Sequence, residues 1–164
     1  MKEIKLTIDG KEVALTDEQI KALGIDVDDG CVCDRANDGC WFYYVRSDGI
    51  VDRDIERDWQ TDKDMFECGN YYRSESYAEQ VALHQHLNNL LRRYSEQHGG
   101  DPEWDAVNNH FLINFDFSVK TFYVNAFSCS KQCGVVHFGS QSVAEKALEE
   151  VVKPFMEEHP EFVW

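Results

Sequence analysis

FLINFDF, residues 111–117, alternates strictly, so that phenylalanine and isoleucine side chains occupy one face of a strand and the even-numbered residues occupy the other. The stretches 121–127 (TFYVNAF) and 134–138 (GVVHF) follow it with the aromatic and β-branched side chains that are typical of strands. Short polar segments separate the three stretches. Together they predict a three-stranded antiparallel meander.

A helix is predicted before this meander and another after it. Residues 76–79 (SYAE) have the capping-box pattern, and apolar side chains at spacings of three and four continue from there to about His98. A second capping box at 142–145 (SVAE) begins another helix with one apolar side. Pro154 is expected to bound or kink this second helix.

Two shorter groups of elements are predicted nearer the N-terminus. Residues 41–46 (WFYYVR) form a strand, an SDG turn follows, the chain returns antiparallel from Ile50, and 65–72 (MFECGNYY) is expected to be a third strand. Residues 2–15 predict a hairpin around an Asp-Gly turn, and a short capped helix then ends at Gly24.

The predicted element order is ββα-βββα-βββα. Consecutive hairpins followed by helices indicate an α+β fold, with antiparallel sheets and helices packed on one face. The predicted domain organisation is an N-terminal hairpin-helix module at 1–24, an acidic cysteine-containing linker at 25–39, and a main α+β domain at 40–164.

The formal net charge is −15, from 31 acidic residues against 16 lysines and arginines. Such a charge repels nucleic acid and anionic membranes, so we expect neither direct nucleic-acid binding nor membrane binding. A host protein with a basic surface is the complementary partner. Since the N-terminus has no apolar signal segment and no run approaches 18 apolar residues, we expect the chain to lie in the host cytoplasm with reduced thiols.

The stretch 50–64, IVDRDIERDWQTDKD, is unusually acidic. On an extended strand its first acids would all point to one side, about 6.7 Å apart, and such a row could occupy a basic groove that normally holds DNA or RNA. The alternative is a solvated edge strand whose charges discourage aggregation. The candidate partner-binding residues are Asp52, Asp54, Glu56, Asp58, Trp59, Asp62 and Asp64.

The cysteines and histidines offer a weaker candidate site. Cys129 and Cys133 have the spacing of a zinc-ligand pair and His137 follows four residues later, but the second pair that structural zinc sites usually have is missing. No nucleophile elbow, P-loop or dinucleotide-binding motif occurs. We therefore expect neither an enzyme nor a cofactor.

Four segments together show a familiar pattern: 3–24 (EIKLTIDGKEVALTDEQIKALG), 41–104 from WFYYVRSDGI to DPEW, 115–127 (FDFSVKTFYVNAF) and 135–151 (VVHFGSQSVAEKALEEV). Through these segments most of the chain resembles small acidic proteins of phages and prophages of Firmicutes. The resemblance implies no enzymatic activity. Small acidic accessory proteins of mobile elements often act against host defence, and anti-CRISPR proteins of type II systems are one such class.

These observations lead to a hypothesis of function with two alternatives. The hypothesis is a non-enzymatic, phage-type anti-defence protein that binds and inhibits a host nucleic-acid-handling nuclease through an acidic surface, with Cas9 and its guide RNA as the candidate target. One alternative is a metal-binding protein or enzyme built on the thiols. The other is a self-associating phage accessory or structural protein.

Overall fold

The fold is α+β, with small antiparallel sheets and helices. The computed structural model describes residues 5–8, 11–14, 34–100, 107–128 and 131–164. Its elements are β1 (Lys5–Ile8), β2 (Lys11–Ala14), β3 (Trp41–Val45), β4 (Val51–Ile55), α1 (Gln60–Glu67), α2 (Glu75–Gln97), β5 (His110–Asp116), β6 (Thr121–Phe127), α3 (Gln141–Ala147), a π-helix (Leu148–Val152) and α4 (Lys153–Glu158). The predicted helix before Gly24 lies outside the described residues.

The strands of the described ranges pair as three two-stranded antiparallel hairpins, β1 with β2, β3 with β4, and β5 with β6. In the second hairpin Trp41 lies opposite Ile55 and Val45 opposite Val51. In the third, His110 lies opposite Phe127 and Asp116 opposite Thr121. The predicted hairpins around the DG turns are therefore present.

Both predicted third strands are wrong. Residues 65–72 begin in helix α1, and beyond it a single bridge joins Tyr72 to Tyr43. Residues 134–138 likewise contribute one bridge, from Phe138 to Phe111. The order ββα-βββα-βββα therefore does not describe these sheets. The composition of both segments is strand-like, but each meets its hairpin at one residue pair only.

The chain divides into two compact units, Met1–Glu79 and Gln80–Trp164. The predicted main domain at 40–164 spans both of them, and the division falls inside α2. Each unit has its own cluster of buried side chains. The two units are therefore described separately below.

The core of unit 1 is small and aromatic. Phe42 and Tyr71 stack with ring centroids 4.2 Å apart, and both are buried together with Ala36. Cys40, Tyr44 and Met65 pack around them. Because Phe42 comes from β3 and Tyr71 from the segment after α1, this cluster fixes the helix and its following loop against the hairpin.

The core of unit 2 is larger and joins α2, the β5–β6 hairpin and the C-terminal helical stretch. Its buried side chains are Leu87, Leu91, Tyr94, Ile113, Phe138, Ala144, Ala147, Leu148, Val152, Phe155 and Phe162. The predicted helix at 76–98 is confirmed, at Glu75–Gln97, since its apolar stripe has a core to face. None of the described helices is long and apolar enough to cross a membrane.

Pro154 does not end the C-terminal helix. The stretch runs as α3, then as a π-helix, and then as α4, in which Pro154 occupies the first turn. Proline lacks the N–H that would bond to the preceding turn, and here the π-helix, whose hydrogen bonding is already irregular, lies directly before it. Ser140, two residues before the predicted cap, caps the start of α3 by accepting a hydrogen bond from the Val143 N–H.

Candidate functional site

Among the described residues, strand β4 pairs only with β3, and its aspartates accept hydrogen bonds from its outward edge. The Glu56 N–H donates to the Cys40 carbonyl and the Arg46 N–H donates to the Ile50 carbonyl. These bonds show that the backbone groups of the even-numbered residues face β3. In an antiparallel pair the backbone N–H and C=O groups of successive residues face the partner strand and away from it in turn, so those of Arg53 and Ile55 face away from β3. Asp52 accepts from the Arg53 N–H at 2.8 Å, and Asp54 accepts from the Ile55 N–H at 2.7 Å. These two outward donors are thus already bonded within the chain.

Arg57 completes the closed edge. Its guanidinium donates to the Ile55 carbonyl at 3.0 Å and to the Asp54 carboxylate at 2.8 Å. The hydrogen bonds from Arg57 and from the Ile55 N–H lower the pKa of Asp54. An exposed edge strand with unpaired backbone groups is a template for aggregation, and charged side chains are a common way to blunt it. The structure therefore agrees with the edge-strand interpretation of Asp52 and Asp54.

Glu56 is the buried centre of a hydrogen-bonded network. Its side chain is 2% exposed. The Arg35 guanidinium donates a hydrogen bond to each of its two carboxylate oxygens, at 2.6 and 3.0 Å. The Tyr71 hydroxyl donates to the same carboxylate at 2.8 Å and the Asp58 N–H donates at 2.7 Å. The Tyr71 hydroxyl in turn accepts from the Ala36 N–H. Glu56 thus connects residues 35–36 to the end of the hairpin and to the core.

The charges of this network follow from its hydrogen bonds. Burial alone would raise the pKa of Glu56, but the donors Arg35, Tyr71 and Asp58 N–H outweigh burial and hold that pKa below its usual range. Burial, together with the hydrogen bond to Glu56, raises the pKa of Tyr71 well above its ordinary value. Glu56 is therefore a carboxylate and Tyr71 a neutral phenol near neutral pH.

The remaining acids of the stretch have separate environments. Asp58 has a left-handed backbone, with φ of 56°, and its exposed carboxylate pairs with Lys63 and Arg35. Asp62 is buried, and its carboxylate accepts hydrogen bonds from the backbone N–H groups of Arg57 and Trp59. These hydrogen bonds cap the start of α1. Asp64 is exposed and accepts from the Gln60 side chain.

The expected evenly spaced row of acids is therefore not what the structure contains. β4 ends at Ile55, so only Asp52 and Asp54 share a strand face. Glu56 then points into the protein, and Asp58 lies in a turn. Because Arg35, Arg57 and Lys63 also pair with these acids, the stretch is a mixed-charge surface.

Asp62 gives a stability prediction. We expect Asp62→Ala to lower the free energy of unfolding by about 1–2 kcal/mol, since it leaves two N–H groups at the start of α1 without their acceptor. Urea unfolding followed by circular dichroism measures this. Asp64→Ala, which removes an exposed carboxylate two residues later, is the matched control and should change stability by less than about 0.5 kcal/mol. Equal effects of the two variants would contradict the capping role.

Two tryptophans stacked with arginines form the most distinctive exposed feature of unit 1. The Arg53 guanidinium lies over the Trp41 ring, 4.6 Å from its centroid, and that of Arg57 lies 4.9 Å from the Trp59 ring centroid. Trp41 is 41% exposed and Trp59 is 59% exposed. Ile55 connects the two pairs, because it is opposite Trp41 in the hairpin and its carbonyl accepts a hydrogen bond from Arg57. We call these five residues the tryptophan–arginine surface.

Sequence reasoning found only part of this surface. Trp59 is among the predicted partner-binding residues, whereas for Trp41 the sequence predicts only a position on a strand. The signal that could have found the first pair is the hairpin register, because a turn centred on 47–49 places Arg53 diagonally across from Trp41. Arg35 and Tyr71 gave no such signal, since they lie 21 and 15 residues from Glu56.

The predicted thiol site is not assembled in the described part of the chain. His137 is buried and Cys133 is exposed, while Cys129 lies outside the described residues. Among the described residues, no group of three or more histidine, cysteine or acidic side chains could hold a metal ion.

The tryptophan–arginine surface offers aromatic faces, guanidinium donors and nearby carboxylates, which together suit contact with another macromolecule. No family model, curated protein or solved structure matches this chain.

Proposed function

We propose that this chain acts by binding another protein, without catalysing a reaction, and that the tryptophan–arginine surface makes the contact. The observation that carries the proposal is the pair of exposed tryptophans, each with an arginine stacked on its ring. Tryptophan and arginine are the residues most enriched at the energetic centres of protein interfaces.

The surface is also prepared for binding before the partner arrives. Arg57 is fixed by hydrogen bonds to the Asp54 carboxylate and the Ile55 carbonyl, so the cation that stacks on Trp59 is already positioned. Trp41 belongs to a paired strand. Because less side-chain freedom remains to be lost, association costs less conformational entropy.

The charge of the chain favours a partner with a basic surface. A net charge of −15 speeds the approach of a cationic protein and disfavours nucleic acid itself. In this proposal the exposed carboxylates of Asp52 and Asp64 steer the partner, while Trp41 and Trp59 anchor it. Nucleic-acid-handling nucleases carry such basic surfaces, and Cas9 with its guide RNA is the first partner to test. An inhibitor of this kind would lower the rate of DNA cleavage.

The test uses the full chain and the Cas9–guide RNA complex. We expect binding by biolayer interferometry, and we expect Trp59→Ala to weaken it at least tenfold, because truncating an interface anchor removes about 1.4 kcal/mol or more. Asp64→Lys should slow association and reduce its salt dependence. Trp59 makes no side-chain cap to α1, so the variant should keep its fold.

Phe117→Ala is the matched control, because it truncates an aromatic side chain that is 65% exposed in unit 2. It should leave the dissociation constant unchanged. Failure of the complex to bind removes Cas9 as the target. Binding that Trp59→Ala and Trp41→Ala leave unchanged overturns the assignment of the surface.

A further inference from the structure

A second feature suited to binding lies in unit 2, between α2 and the C-terminal helical stretch. It is a groove of about 360 Å³. Its walls include His86, Tyr94, Glu150, Pro154, Phe155 and Glu158. This volume is at the lower end of the range of ligand sites, about 300–1,000 Å³, and so fits one side chain better than a large cofactor.

The walls of the groove are aromatic. His86 stacks on Phe155 with ring centroids 5.8 Å apart, and Phe155 and Tyr94 are largely buried behind the surface. Aromatic faces attract cations through the ring quadrupole, and they also pack against the methylene stem of a lysine or arginine.

The two polar side chains that the C-terminal helical stretch contributes to the groove are hydrogen-bond acceptors. Glu150 and Glu158 both line it, and the Glu150 carboxylate already accepts from the Tyr94 hydroxyl at 2.8 Å. That hydrogen bond holds Glu150 beside the aromatic wall. No other donor to the Glu150 or Glu158 side chain, and no ion pair of either, is present among the described residues.

The backbone of the C-terminal helical stretch is irregular where it lines the groove. The π-helix Leu148–Val152 runs directly into α4, and Pro154 has no N–H to donate to the carbonyl four residues earlier, that of Glu150. π-helical turns inside α-helices occur frequently at functional sites. Here the turn falls on the groove wall.

We propose that this groove receives one arginine or lysine side chain from a basic protein segment. The carboxylates of Glu150 and Glu158 neutralise its charge, and the rings of Tyr94, His86 and Phe155 pack against its stem. Arg93 also lines the groove, but its exposed side chain makes no ion pair with Glu150 or Glu158, so both carboxylates can pair with an incoming cation. The groove belongs to unit 2 and the tryptophan–arginine surface to unit 1, and the groove is tested without any partner protein.

The probe is the peptide acetyl-Gly-Arg-Gly-amide, titrated into the full ¹⁵N-labelled chain and followed by NMR. We expect saturable shifts of the backbone resonances of Val151, Phe155 and Glu158. The isosteric peptide with citrulline in place of arginine carries no charge and should bind at least fivefold more weakly. A glutamate peptide of the same length should not bind in the groove.

Glu158→Gln should weaken binding of the arginine peptide at least threefold, and it should preserve the fold because its carboxylate is exposed. Glu157→Gln is the control, since that carboxylate is also exposed on α4 but does not line the groove. Equal binding of the citrulline peptide, shifts confined to other residues, or preference for the glutamate peptide through Arg93 would each overturn the proposal.

Discussion

Replacing Glu56 by alanine is expected to lower the free energy of unfolding by about 3 kcal/mol. The variant leaves the Arg35 guanidinium without its two-oxygen partner and leaves the Tyr71 hydroxyl and the Asp58 N–H without their acceptor. Removing one partner of a buried ion pair typically costs about 3–5 kcal/mol. Arg35 is 26% exposed and regains part of its hydration, which places the expected value at the lower end.

Urea unfolding monitored by tryptophan fluorescence measures this loss. Glu67→Ala is the control, because Glu67 is an exposed carboxylate of α1, and it should change stability by less than about 0.5 kcal/mol. A loss below about 1 kcal/mol for Glu56→Ala would mean that the network does not hold residues 35–36 to the hairpin.

The same residue predicts a pH dependence. Because the pKa of Glu56 is lower in the folded state, its stabilisation is complete above the pKa of an unfolded glutamate, about 4.3, and is lost as the pH falls through the folded-state value. Wild-type stability should therefore decrease below about pH 4.3. Glu56→Gln, which cannot titrate, should show a shallower decrease over that range, and an identical slope would contradict the lowered pKa.

Phe138→Ala is the second substitution with a large expected effect, about 3–5 kcal/mol. The ring is 1% exposed in the core of unit 2, and the residue exchanges two backbone hydrogen bonds with Phe111, at 2.8 and 2.9 Å. Alanine keeps those hydrogen bonds but leaves a cavity where the ring contacted its neighbours. The loss therefore reports on packing alone.

Thermal unfolding by calorimetry, analysed together with urea unfolding, measures the effect of Phe138→Ala. Phe117→Ala makes the same chemical change at a ring that is 65% exposed, and it should cost less than about 1 kcal/mol. Comparable losses for the two variants would show that Phe138 is not part of the unit 2 core.

The elements that could be predicted were those with a strong periodic or turn signal. Helix α2 has an apolar stripe along most of its 23 residues, and its predicted bounds of 76–98 differ from the observed 75–97 by one residue at each end. The β3–β4 and β5–β6 hairpins were also predicted, because each consists of two strand-like runs separated by a short polar turn.

The elements that were predicted wrongly depended on contacts between distant residues. Residues 65–67 are predicted as part of a strand because aromatic residues follow them. In the structure they belong to α1, whose start is stabilised by hydrogen bonds from the N–H groups of Arg57 and Trp59 to the Asp62 carboxylate. Glu56 was assigned to the surface by strand alternation, and its burial depends on Arg35, 21 residues earlier. The hydrophobic periodicity of a sequence contains no information about such pairings, because they form only when the chain folds.

The closed edge of β4 restricts the way in which any partner can be recognised. Peptides that add a strand to a sheet need a row of outward backbone donors and acceptors. At β4 the N–H groups of Arg53 and Ile55, and the Ile55 carbonyl, are already occupied by Asp52, Asp54 and Arg57. A partner that approaches this side of unit 1 must therefore recognise side chains, and its specificity will depend on the identity of individual residues rather than on an extended main chain.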